Sequence, residues 1–278
     1  MGSSDGDGSS HLFERPDAHL SYRRRGEGPA VLFIQGAGAR GEVWRPQLEP
    51  LSARYATVAF DNRGLGKSRI LSGELTLEAM ADDALAIMDH LGIERFHLVG
   101  HSMGGLIAQE VALRAPARAR TLSLLCTFAR GRQATRMTAD MLLIGLRTRI
   151  GTRAARRRAF LELVVPPALL ARRGAPALAQ ELGELFGRDL ADQPAIIMKQ
   201  LRAMSRYDAS GRLAGLRIPT LVMSAEHDRI ARPSFGRELA AAIPGARFVE
   251  LPGLSHTAPI DAAGQVNALL EAQFQQAD

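Results

Sequence analysis

The chain is poor in cysteine, aromatic residues and lysine, and each shortage excludes something. Its 278 residues hold one cysteine, Cys126, so no internal disulfide can form. No Cys/His cluster has the spacing of a structural zinc site, so no metal is expected. A lone thiol fits a reducing compartment, and the expected location is cytoplasmic. Aromatic residues make up 5% of the chain, too few for a base-stacking surface. The formal net charge is +6, but the basic residues are almost all Arg, spread along the chain, with no nucleic-acid-binding motif beside them. Nucleic acid is therefore not an expected partner. No run approaches the roughly 18 uninterrupted apolar residues of a membrane-spanning helix, so no membrane span is expected. Residues 1–10 are rich in Gly, Ser and Asp and lack the basic flank and apolar run of a secretory signal; they read as a disordered lead-in.

What is present is ordinary globular material, 46% hydrophobic and 23% charged. Short runs that are apolar on both faces occur at 30–35, 56–61, 96–99, 121–126, 220–224 and 247–251. Each is bounded by Gly or polar residues, which is how buried parallel strands read. Helical patterns separate them. Residues 76–91 carry Leu77, Met80, Ala81, Ala84, Leu85 and Met88 at spacings of three and four, with Thr76 as N-cap and Gly92 as stop. Further helices are expected at 233–242 and 262–275, and an antiparallel edge strand at 19–24. This alternation predicts a doubly wound, mostly parallel α/β sheet. Between 129 and 213 the β-runs vanish, leaving Arg-, Ala- and Leu-rich sequence at helical spacing, broken at Pro166-Pro167, Pro176 and Pro194. The expected organisation is a core of residues 11–128 and 214–278 with a helical cap at 129–213. The run Arg153, Arg156, Arg157 and Arg158 reads most simply as a solvated helix face, an anionic-substrate role being the alternative.

One pentapeptide carries chemistry. Gly100-His101-Ser102-Met103-Gly104 fits G-x-S-x-G, with a predicted strand running in and a predicted helix (106–113) running out. That context suits a nucleophilic serine on a strained turn, with small residues where strand and helix approach. Such a serine needs a base and the base an orienting acid. His256 lies in the loop after the last predicted strand, and Asp228 just beyond the strand ending at Ser224, with Glu226 as its rival. His101 is expected to give packing or polar support.

The chain order Ser102, Asp228, His256 is similar to that of the α/β-hydrolase superfamily, and the chain resembles its esterase, enol-lactonase and perhydrolase branches. The resemblance runs from about residue 20 to the last helix and includes the Gly-rich turn at Gly36 and the segment 61–68, DNRGLGKS. It implies the α/β-hydrolase fold with a helical cap and an oxyanion hole made by the amides of Met103 and Ala37, Gly36 being the alternative donor. Many relatives read His-Gly before that donor, where this chain has Gln35-Gly36.

The implied activity is serine-dependent hydrolysis of small to medium, partly apolar esters or lactones through an acyl-enzyme, without a cofactor. Carbon–carbon bond hydrolysis or perhydrolysis by the same triad, acyl transfer, and a non-catalytic ligand-binding role are the alternatives. Ser at position 102 argues against the carboxylate nucleophile of dehalogenases and epoxide hydrolases. The expected partner is a small-molecule substrate; the oligomeric state is open. Trp44 could wall the pocket or pack in the core. Met137, Met141, Leu142, Ile144, Phe160, Leu163, Met198 and Met204 are core residues first, and some are candidates to line the pocket, Met137 and Met141 with Gly36 and Trp44 foremost.

Overall fold

The computed structural model describes residues 9–135 and 139–277; the side chains of residues 135 and 139–141 lie outside the description. The chain opens with β1 (His11–Glu14), β2 (Ala18–Arg25) and β3 (Ala30–Ile34). A 3₁₀ turn at Gly41–Trp44 leads into α1 (Arg45–Leu51), followed by β4 (Ala56–Phe60), β5 (Arg69–Ile70) and α2 (Leu77–His90). Then come β6 (Phe96–His101), α3 (Met103–Arg114) and β7 (Ala119–Leu125). Every residue of β3 and β4 is buried. That explains why both read as continuous apolar runs rather than alternating ones.

Among the described residues one sheet forms, in the order β1-β2-β4-β3-β6-β7, continuing to β8 (Thr220–Ala225) and β9 (Arg247–Leu251). Pairing is parallel from β4 through β9, while β1, β2 and β5 pair antiparallel. The predicted edge strand at 19–24 is therefore corrected: β2 lies inside the sheet, because β1 covers its outer side. The sheet grows outward from β3 in both directions. The carboxyl ends of β3 and β6 consequently feed connections that diverge, leaving a crevice between them.

Helix α2 forms as its pattern predicts. Thr76 accepts from the Ala79 amide at 3.0 Å, and Gly92, at φ +66°, follows its last turn. Its buried Asp83 receives Arg63 through two hydrogen bonds of 2.6 Å, while Asp17 accepts from the same guanidinium at 3.0 Å. This ion pair holds the loop after β4 down onto the sheet.

Between β7 and β8 the described residues form helices α4 (Gly131–Thr135), α5 (Ala139–Arg147), α6 (Arg153–Val164), α7 (Pro167–Arg173), α8 (Ala175–Phe186) and α9 (Ile197–Arg206). The one β-feature there is an isolated bridge between Arg130 and Asp208. Pro166-Pro167 separates α6 from α7, but Pro176 sits in the first turn of α8, where a missing N–H costs nothing. Leu161, Val164, Leu178, Leu182, Leu185 and Leu190 give these helices a small core of their own. The predicted Arg face is solvent-exposed and also carries ion pairs: Arg153 reaches Asp189 and Asp192, Arg157 reaches Asp189, and Arg158 reaches Glu162. At the return to the sheet, the Tyr207 hydroxyl donates to Glu110 of α3 at 2.8 Å. Helices α10 (Pro233–Ala242), α11 (Ala258–Asp261) and α12 (Ala263–Phe274) complete the chain. No described helix is long and apolar enough to cross a membrane.

Candidate active site

Ser102 stands between β6 and α3 at φ +55°, ψ −121°, a conformation that L-residues avoid. Its backbone is pinned on every side. The Ser102 amide donates to the Leu125 carbonyl at 3.0 Å, while its own carbonyl accepts from Gly105 N at 2.9 Å and from Thr127 Oγ1 at 2.7 Å. The small residues around it are sterically required. A Cβ on Gly104 would lie 2.0 Å from the Ile34 carbonyl oxygen, and one on Gly100 would lie 2.4 Å from the Gly104 oxygen. Helix α3 starts at Met103, three residues earlier than the pattern predicts, so its N-terminus opens directly at the serine.

His256 and Asp228 come together from the loops after β9 and β8. His256 Nδ1 lies 2.7 Å from Asp228 Oδ2. The other Asp228 oxygen accepts from the amides of Ile230 and Ala231, each at 2.8 Å. Burial alone would push this carboxyl up, but His256 and the two amides more than offset it and hold Asp228 below its ordinary value. Glu226, the rival acid, instead accepts from the Gly253 amide at 2.8 Å.

Two neighbours complete the surroundings. His101 donates from Nε2 to the His256 carbonyl at 2.9 Å, and the two imidazoles lie 4.7 Å apart. Burial pushes the His101 pKa down to about 3, so it is a neutral support that holds the His256 loop. Cys126, at φ +46° just after β7, lies beside Asp228. Burial and that carboxylate push its thiol pKa well up, so it stays protonated. His101, Cys126 and His256 offer three heteroatoms within 4.8 Å of one another. However, His101 Nε2 is committed to a carbonyl and His256 Nδ1 to Asp228. This donor set suits proton transfer better than metal ligation.

The loop after β3 passes over Ser102. A Cβ on Gly36 would lie 3.1 Å from Ser102 Cβ and 3.5 Å from its Oγ. The Gly38 amide is taken by Gln200 of α9, whose Oε1 accepts it at 2.8 Å. Sequence reasoning missed this contact, since nothing in the spacing of 38 and 200 announces it. Gln35 is wholly buried, and among the described residues neither of its side-chain polar atoms finds a partner. The loop is thus held through its backbone, where the Gln35 carbonyl accepts from Asn62, and through Gln200, rather than through the side chain of residue 35.

A cavity of about 980 Å³ lies over the serine. Gly36, Ala37, Trp44, Ser102 and His256 line it from the sheet side; Leu142, Phe160, Leu163, Phe186 and Met204 line it from the helices. Trp44 is both pocket wall and core, lining the cavity while almost fully buried. Met137 lies outside the described residues, as does the side chain of Met141. Met198 and Leu142, read as core first, are exposed at the cavity instead.

Comparison with known proteins agrees with this fold. Residues 29–263 match the family model described as alpha/beta hydrolase fold. A protein of Azorhizobium caulinodans named as a carbamate hydrolase, RutD, is 32% identical over 244 residues, covering 86% of this chain and 89% of that protein. The crystal structure of the enol-lactonase from Burkholderia xenovorans LB400 superposes with a TM-score of 0.78 at 29% identity, covering 93% of this chain and 97% of that one. A hydrolase from Pseudomonas aeruginosa superposes with a TM-score of 0.80 at 27% identity, covering 96% and 99%. With its parallel sheet, its nucleophile turn and this match over most of its length, the chain belongs to the alpha/beta hydrolase family.

Proposed function

We propose that the protein is a serine-dependent hydrolase of carboxylic esters or lactones, acting through an acyl-enzyme with Ser102, His256 and Asp228 as its triad. The observation that carries the reading is the His256–Asp228 bond of 2.7 Å at the wall of the cavity that also exposes Ser102. With Nδ1 held by Asp228, Nε2 is the imidazole nitrogen left for the serine. Ser102 Oγ attacks the substrate carbonyl carbon and its proton passes to His256 Nε2. Asp228, ionised, steadies the imidazolium. The oxyanion falls to the Met103 and Ala37 amides, helped by the positive end of α3. His256 then gives its proton to the leaving alcohol. Water enters, His256 takes a proton from it as the water oxygen bonds to the carbonyl carbon, and the Ser102 Oγ–carbon bond then breaks, with His256 returning the proton to Ser102 Oγ as the acid leaves.

The helical segment at 129–213 acts here as a cap, its apolar residues forming the far wall. Its Gln200 fixes Gly38 and thereby the amide before it. The name carried by the RutD relatives supports a second reading, hydrolysis of a carbamate, in which the same serine attacks a carbamoyl carbon. One screen tests both. p-Nitrophenyl esters of increasing acyl length, simple lactones and aryl carbamates are offered to the wild type and to Ser102→Ala. Turnover of esters or lactones that falls by roughly three or more orders of magnitude in the variant is the expected result. Carbamate turnover alone would favour the second reading, and equal turnover by both proteins would remove the triad.

A further inference from the structure

The charges around the cavity are one-sided. Four cations line it, Arg149, Arg188, Lys199 and Arg202, and no Asp or Glu does among the described residues. Elsewhere on the helical segment arginines are matched by acids: Arg153 and Arg157 by Asp189 and Asp192, Arg147 and Arg158 by Glu162, Arg173 by Glu181. The cavity lining, by contrast, places four cations together with no acid among the described residues.

Arg188 is the most constrained of the four. Its guanidinium lies over the rings of Phe160 and Phe186, at 5.9 and 5.5 Å from their centroids. Nη1 donates to the main-chain carbonyls of Asp192 and Asp189, while Nε is buried without a partner among the described residues. The carboxylates of Asp189 and Asp192 are occupied by Arg153 and Arg157. Asp189 and Asp192 act on this half-buried guanidinium through space, but no carboxylate among the described residues pairs with it directly, which leaves donors to spare. A second guanidinium, Arg40, packs nearby and donates to the Phe186 carbonyl at 3.1 Å, which adds positive potential.

The position relative to the serine is set by the loop after β3. Arg188 Nη2 would lie 3.9 Å from a Cβ on Gly38, and Ser102 Cβ 3.1 Å from one on Gly36. These glycines are two residues apart, at most about 7 Å along the chain. Arg188 and Ser102 thus border the same short stretch of the loop after β3.

We propose that the cavity takes an ester or lactone whose acyl part ends in a carboxylate, and that Arg188 binds that carboxylate. The proposal rests on the hydrolase reading above and narrows its substrate class. A guanidinium held against two aromatic rings, with Nη1 committed to main-chain carbonyls, can offer Nη2 to a carboxylate as a charge-assisted donor, and the apolar residues of the cavity suit a methylene chain.

The test compares mono-4-nitrophenyl glutarate with 4-nitrophenyl pentanoate, which differ in a carboxylate against a methyl group at the acyl end. The wild type is expected to favour the glutarate through KM. In Arg188→Gln the ratio of kcat/KM for the two should fall about tenfold or more, carried by KM. Arg188→Lys, which keeps the charge and loses the fork, should recover part of it. A wild type indifferent to the carboxylate, or an unchanged ratio in Arg188→Gln, would overturn the proposal. If neither ester is turned over, the hydrolase reading fails by itself, and binding decides the site. Monomethyl glutarate should then raise the Tm of the wild type but not of Arg188→Gln, while methyl pentanoate raises neither. Equal shifts in both proteins, or none with monomethyl glutarate, would sink it.

Discussion

The sheet and the helical segment inserted between β7 and β8 are held together differently. The sheet side is a continuous apolar core around wholly buried strands β3, β4 and β8, with backbone passing so close at Gly100 and Gly104 that a single Cβ has no room. The inserted helices share a small leucine core and are laced on the outside by Arg–Asp and Arg–Glu pairs. They leave Leu142, Leu143, Leu146 and Ile150 exposed. Dense packing fixes atoms to fractions of an ångström, whereas surface ion pairs contribute little and tolerate change. The proposed triad stands on the dense side, where a strained backbone can be over-determined. The cavity's far wall stands on the looser side, where residues can vary without loss of the fold.

Perturbing each side separately should break this comparison if it is wrong. The largest effect is expected at Asp228. Asp228→Asn keeps acceptors for Ile230 and Ala231 but presents the wrong group to His256, and kcat should drop roughly 10³–10⁴-fold with the circular dichroism unchanged. Next is packing on the sheet side. Gly104→Ala forces a Cβ onto the Ile34 carbonyl at 2.0 Å, and denaturant unfolding should show a loss on the order of 3 kcal/mol or more. A smaller effect is expected where the two sides touch. Gln200→Ala frees the Gly38 amide, so ester turnover should fall about tenfold with global stability nearly kept, the readout being kcat against Tm.

The smallest effect is a pH dependence. Asp261, next to the His256 loop, accepts from Thr257 Oγ1 at 2.5 Å, while the same hydroxyl lies 2.9 Å from the Val164 carbonyl. Burial pushes the Asp261 pKa up to about 6, against the opposing Thr257 bond. The folded state therefore holds the proton more tightly than the unfolded state. The stabilisation is full below the ordinary carboxylate value near 3.8 and is lost as pH rises through about 6. Asp261→Asn should match the wild type near pH 4 and exceed it near pH 8 by on the order of 1 kcal/mol, read from unfolding at both pH values.

Much of the sheet was legible because burial on both faces leaves a plain trace: residues 30–34, 56–60 and 220–225 are buried without interruption and mostly apolar. Strands β1 and β5 were not, since four half-exposed residues and a two-residue ladder carry no distinguishing pattern. Among the candidate site residues, the serine turn announces itself through glycines that local sterics demand. His256 and Asp228 were legible through chain order and the ends of predicted strands. The supports were not. Gln200 meets Gly38 across 162 residues, Cys126 meets Asp228 only because β7 and β8 are neighbours, and Arg188 reads as one arginine among many until its missing partner is seen. Long-range contacts of this kind have no period and no local signature.

The most direct test of the central claim, an activated Ser102, is covalent capture by a fluorophosphonate followed by intact-mass analysis and peptide mapping. One adduct per chain, located on Ser102, absent from Ser102→Ala and strongly slowed in His256→Ala, is the predicted result. A well-folded protein that takes up no label, or one labelled equally when Ser102 is replaced, would contradict it.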